Sequence, residues 1–157
     1  LGADLTAPAS EVGLPADSFD HVVANPPFFA EASLRLPRDP VRAASHAMPD
    51  GELEVWLRVM ARLTRPGGRI SIIHKADALP ELLAALRRRF GAIALRPVHP
   101  RRGAAAYRLL IQAVKGSRAP LQLMPPLFLH DETNAFLPPV AKVLRGPVAL
   151  ADITDEI

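Results

Sequence analysis

Asn25-Pro26-Pro27-Phe28 is the stretch of this chain whose residue types and spacing suit it to chemistry. The side-chain amide oxygen of Asn25 can accept one N–H, and the carbonyl of Pro26, held outward by the proline rings, can accept a second. Two acceptors aimed at one amino group favour the form in which its nitrogen turns pyramidal and positively charged during attack. The fitting chemistry is methylation of a planar conjugated amine, a poor nucleophile because its lone pair is delocalised. The help given is electrostatic and needs no charged base. Phe28 adds a flat apolar surface on which a planar group can stack. A proline-rich turn after a strand is the plainer reading, but the preceding Phe19-Asp20-x-Val22-Val23 makes the pattern far more specific than a lone glycine motif.

The elements that must position this tetrapeptide follow from the pattern around it. Phe19 to Ala24 (FDHVVA) predicts a buried strand, ended by the prolines, which cannot continue a ladder. Ala30 to Met48 shows no clean period and predicts a loop or loose helix. Asp50 is a good N-cap for a helix carrying Leu53, Trp56, Leu57, Met60 and Leu63, stopped by Pro66-Gly67-Gly68. A second buried strand is expected over Arg69 to His74. Leu79, Leu82, Leu83, Leu86 and Phe90 mark a second helix with Pro80 near its start and Gly91 just past its end. Ile93 to Val98 and Tyr107 to Val114 are strand candidates on either side of a basic turn, His99 to Gly103. The tail from Ser117 to Ile157 has no clear period. Strands alternating with helices argue for parallel pairing, and the short last link argues for an antiparallel end hairpin. Such α/β sheets bind ligands at the carboxyl ends of their strands, where Asn25 falls.

The bulk numbers bound the partners. The chain has 157 residues, 49% hydrophobic and 22% charged, which suits a folded domain and excludes a disordered tail. There is no cysteine, which excludes a disulfide scaffold and fits a reducing, cytoplasmic setting. No apolar run reaches the roughly 18 residues of a membrane span. The formal charge of +3 is uneven: Arg65 to Arg118 carries a balance of +10 against −7 elsewhere. Such a block is an electrostatic footprint for a polyanion, although a solvated face in an arginine-rich chain would look the same.

FDHVVANPPFF resembles the (F/Y)D-x-(V/I)-(V/I)-x-N-P-P-(F/Y) motif of class I S-adenosylmethionine-dependent methyltransferases that act on exocyclic amino nitrogens. LTRPGGRISIIH is similar to the helix–PGG–strand segment of that fold. HPRRGAAAYRLLIQAVKG and PLQLMPPLFLHDETNAFLPPVAKVL resemble the end hairpin and tail of the bacterial group that modifies adenine-37 N6 in valine tRNA. The likeness runs from about Leu1 to about Leu144. It implies a Rossmann-like α/β sheet, S-adenosylmethionine as cofactor and tRNA as partner. Asn25, Pro26, Pro27 and Phe28 would form the target-amine site. Asp4 would stand at the acidic position that contacts the cofactor's adenine, or else serve as a helix N-cap or turn residue.

The family's glycine-rich loop, D/E-x-G-x-G-x-G, does not occur in this chain, and Gly67-Gly68 closes a helix instead of opening one. With Leu1 set in LGADL, like the end of a buried strand, residues 1–157 are expected to be a C-terminal part of a single methyltransferase domain. Cofactor binding by this part alone is then expected to be weak or absent. The strand at 19–24 is expected to leave an apolar edge open to self-association. Arg38, Arg42 and His46 follow the motif and could contact RNA phosphate or hold a flipped base, or else lie in a solvated loop. Arg101 and Arg102, on the end hairpin, are placed to track a phosphate backbone. Arg87, Arg88 and Arg89 read as a solvated helix end, and neither His21 nor His74 has metal-ligand partners at suitable spacing, so no metal site is expected. Two alternatives stay open. One is an enzyme acting on a protein glutamine amide or guanine N2 of ribosomal RNA. The other is an inactive RNA-binding or interaction remnant.

Overall fold

The computed structural model describes residues 13–26, 52–146 and 148–149. Strand β1 (Phe19–Ala24) is followed by helix α1 (Glu52–Leu63), strand β2 (Thr64–Lys75), a 3-10 turn (Ala76–Ala78) and helix α2 (Leu79–Leu86). Strands β3 (Phe90–His99) and β4 (Arg108–Lys115), two short strands β5 (Gln122–Leu123) and β6 (Leu127–Phe128), and helix α3 (Pro138–Arg145) complete the order. The sheet runs β1-β2-β4-β3-β5, with β6 also on β3. β1 and β2 are parallel, while β4 lies antiparallel between β2 and β3. β1, β2 and β3 therefore point the same way, and their carboxyl ends share one edge. This is the expected parallel sheet with a reversed strand, refined in that β4 sits inside the order.

Period-two patterning makes one face of the sheet the core. In β2, Ile70 and Ile72 are buried between half-exposed Ser71 and Ile73; in β4, Leu109, Ile111 and Ala113 are buried between Leu110, Gln112 and Val114. Leu53, Leu57, Met60 and Ala61 of α1 and Leu82, Ala85 and Leu86 of α2 pack on that face. α1 is tied at its C-terminal end from three sides. Asp17 N donates to Arg62 O (2.9 Å), Ser18 N donates to Leu63 O (3.1 Å), and the Thr64 hydroxyl donates to Met60 O (2.7 Å). Lys115 Nζ reaches Thr64 O (2.8 Å), placing a cation where the helix dipole favours one.

Five expectations need correction, the last of them at Arg89. β1 has its predicted bounds but is largely exposed: only Ala24 is buried, and Val23 is 72% exposed. Among the described residues it pairs on one side only, with β2, so it is an edge. Pro66-Gly67-Gly68 does not separate helix from strand. α1 ends at Leu63, and β2 contains the triplet as a looped-out segment, since Phe19 pairs with Thr64 and His21 already with Arg69. Gly67, at φ 74°, makes the turn of that loop. Helix α2 stops at Leu86, and both Phe90 and Gly91 belong to β3. Phe90 and Ile93, three apart, both face the core because an extra residue is inserted between Gly91 and Ala94, with Ala92 at φ 47°. The tail also contains α3, which was not expected; two prolines open it and only Val140 is buried, too little to show a period.

Of the three arginines after α2, Arg89 is not a solvated end. Its Nη2 donates to Glu54 Oε1 at 2.7 Å and joins the two helices. That hydrogen bond, opposed by partial burial, holds the Glu54 carboxyl below its usual value, with the charge of Arg89 assisting. A depressed folded-state pKa stabilises above the unfolded value and loses that contribution as pH falls through the folded one. Glu54→Gln should therefore cost up to about 1 kcal/mol at neutral pH. In urea titrations the gap from wild type should close as the pH is lowered through the carboxylate range.

Candidate functional site

Asn25 follows β1 directly at the carboxyl edge of the sheet and is exposed, while the Pro26 ring is fully buried. A buried proline anchors the chain as it leaves the sheet, and the neighbouring amide is left facing outward. Pro27, Phe28, Asp4, Arg38, Arg42 and His46 lie outside the described residues.

Asn25 borders a cleft of about 460 Å³ on the sheet face opposite α1 and α2, lined also by Val23, Ser71, Ile73, Gln112 and Arg96. Parallel-sheet folds cover both faces, and among the described residues α1 and α2 cover one. Ser71 and Gln112 of the cleft continue a row of polar side chains that His21 begins on β1. His21 Nε2 lies 2.8 Å from Ser71 Oγ, which accepts from Gln112 Nε2 at 3.2 Å. On β3, Arg96 is buried, and Nη1 donates to Pro125 O at 3.0 Å. Burial lowers its pKa from the usual guanidinium value, yet an arginine stays charged at any ordinary pH. The sequence signal for Arg96 is a cation inside the apolar run IALRPV.

Arg101 and Arg102 are exposed in the link between β3 and β4, at the same edge as Asn25. From β1 to β3 is three strand spacings, roughly 14 Å across the sheet. The tail folds back on this link: Leu129 N donates to His99 O (3.0 Å) and His130 N to Pro100 O (2.9 Å). The Arg102 guanidinium lies 4.8 Å from the Phe128 ring centre. Among the described residues, no group of His, Asp and Glu side chains could hold a metal ion, and no helix is long and apolar enough to cross a membrane.

The strand order and the reversed β4 match part of a Rossmann-like methyltransferase sheet. A structure from Agrobacterium tumefaciens, described as a predicted O-methyltransferase, superposes with a TM-score of 0.74 at 34% identity. It covers 95% of this chain, which spans 63% of that protein's length. A putative class I S-adenosylmethionine-dependent methyltransferase from Listeria monocytogenes matches at 14% identity and TM-score 0.48, over 84% of this chain and 42% of its own. A putative DNA modification methylase from Thermus thermophilus matches at 22% and 0.44, over 70% and 52%. These last two superpose too loosely to carry weight. No family model matches the sequence. No curated protein matches it either.

Of the residues expected at the target-amine site, the described ones are Asn25 and Pro26, and both lie at the carboxyl end of β1. Among the described residues no glycine-rich loop leads from a strand into a helix, and Gly67-Gly68 lies inside β2.

Proposed function

We propose that this chain carries the acceptor side of an S-adenosylmethionine-dependent methyltransferase acting on an exocyclic amino nitrogen, with adenine N6 of tRNA as the acceptor. The observation that supports this most is Asn25, exposed at the carboxyl end of β1 beside a fully buried Pro26. When bound, the cofactor supplies an electrophilic methyl group. Asn25 Oδ1 accepts one N–H of the target amine and the Pro26 carbonyl accepts the other. Both hydrogen bonds strengthen as the nitrogen becomes tetrahedral and cationic, so they stabilise the transition state more than the bound amine. The nitrogen then sheds a proton to solvent, and no side chain need act as base. The activity predicted for the Agrobacterium protein is transfer to oxygen. Two acceptors side by side suit an NH₂ group better, because a hydroxyl has one hydrogen to give.

RNA is favoured over a peptide by the basic block and by Arg101 and Arg102 at the same edge as Asn25. Replacing both arginines by alanine should weaken RNA binding at every sequence alike. The slope of log K against log salt should fall by about 1.4, from ~0.7 per single-strand phosphate contact. Filter binding between 50 and 200 mM salt reads this out, and an unchanged slope contradicts the assignment. The reading as a whole is tested by methyl transfer from labelled S-adenosylmethionine to unmodified tRNA by the intact protein, with glutamine-containing peptide as the competing acceptor. Label in the peptide alone would overturn it.

A further inference from the structure

Downstream of the target-amine motif, the tail places a group of aromatic side chains beside the basic link. β6 pairs with the end of β3, Val98 with Leu127 and His99 with Phe128, and so carries Phe128 to the carboxyl edge. The His99 and Phe128 rings stand 5.2 Å apart. Beyond β6, His130 bridges to Phe136, and their rings stack at 4.5 Å with 28° between planes. His130 Nδ1 lies 3.1 Å from Pro100 O, so this stack adjoins the residues that lead into Arg101 and Arg102.

The turn that presents Phe136 is internally fixed. Asp131 Oδ1 accepts from Thr133 N (2.8 Å), Thr133 Oγ1 (2.7 Å) and Ala135 N (3.0 Å), and Asn134 takes φ 67°. The Thr133 hydroxyl and the Ala135 amide hold the Asp131 carboxyl below its usual range, so its charge is engaged in the turn. Glu132 is exposed at the turn, which leaves the Arg101–Arg102 side as the cationic one. Phe136 on this turn is 47% exposed. An exposed ring stacked on an imidazole that reaches Pro100 O, in a link whose next two residues are exposed arginines, offers what single-stranded nucleic acid requires: a π-face for a base and cations for its phosphates. Pre-ordering lowers the cost of binding.

Building on the nucleic-acid reading above, we propose that Phe136 on its His130 backing, with Phe128 under Arg102, forms a subsite for an unpaired nucleobase and its phosphate, separate from the target-amine site. It would hold a nucleotide flanking the modified one, across the carboxyl edge from Asn25.

The test uses the intact protein and a ten-nucleotide single-stranded RNA containing 2-aminopurine, whose fluorescence is quenched by stacking. Wild type should quench on binding. Phe136→Leu, which keeps the apolar contact and loses the π-face, should weaken binding about 5- to 100-fold and lose quenching, while Phe136→Tyr should keep both. Thermal melts show whether the variants fold; should Phe136→Leu not, exposed Arg102→Gln must weaken binding at low salt without lowering the melting temperature. Wild-type affinity and quenching in folded Phe136→Leu, or unchanged affinity in Arg102→Gln, overturns the subsite. Quenching without methyl transfer to RNA would overturn the proposed function and leave the subsite standing.

Discussion

Asn25→Ala is expected to reduce the proposed methyl transfer to about 1% of wild type or less, with cofactor affinity changed only a few-fold. The magnitude follows from removing one preorganised acceptor aimed at charge that develops in the transition state, typically worth a factor of 10²–10³ in turnover. The substitution should leave folding intact, since Asn25 is exposed and the buried anchor of this segment is Pro26. Loss should appear in kcat and kcat/KM together, because the interaction matures only as the nitrogen becomes cationic. Asn25→Asp separates charge from geometry. It keeps an acceptor oxygen but adds a formal negative charge, so it should retain more activity than alanine. Wild-type turnover in Asn25→Ala would remove the target-amine assignment.

Gly91→Ala is expected to destabilise the fold by about 3 kcal/mol, near the top of the usual cost of overpacking. A Cβ on Gly91 would sit inside contact distance of the Ser117 carbonyl and 3.2 Å from Arg118 N. Both neighbours are backbone, so no rotamer change relieves the overlap. The inserted residue in β3, which keeps Phe90 and Ile93 on one face, would have to shift with it. Gly103→Ala is the control. Nothing lies within 4 Å of a Cβ there, and only the positive φ of 76° is strained, for about 1 kcal/mol. Urea denaturation of the two variants should rank them in that order.

Much of the fold was legible in the sequence because patterning and turn chemistry agreed. The bounds of β1, the α1 stripe, the Ile70–Ile72 strand and the antiparallel β3–β4 pair all follow from local signals. What was not legible has physical causes. Phe90 lies four residues after Leu86 and so continues a helical period, although it starts a strand whose inserted residue restores its face. β1 reads as buried because its residues suit a central strand, but burial depends on neighbours, and its outer side has none among the described residues. The place of Asn25 and Pro26 at the carboxyl end of a strand was legible from the prolines that end β1. Arg96 and the ring cluster were not singled out. Phe128 meets His99 only through the pairing of β6 with β3, and His130 meets Phe136 through a separate bridge, neither of which a local pattern announces.

The most direct measurement of the central claim is where the methyl group goes. The intact protein is given S-adenosylmethionine with a deuterated methyl group and tRNA lacking the modification, and the RNA is digested to nucleosides for mass spectrometry. The account predicts deuterated N6-methyladenosine, absent with Asn25→Ala. Deuterium found only in 2′-O-methylated nucleosides, or undiminished in the Asn25→Ala protein, would contradict it.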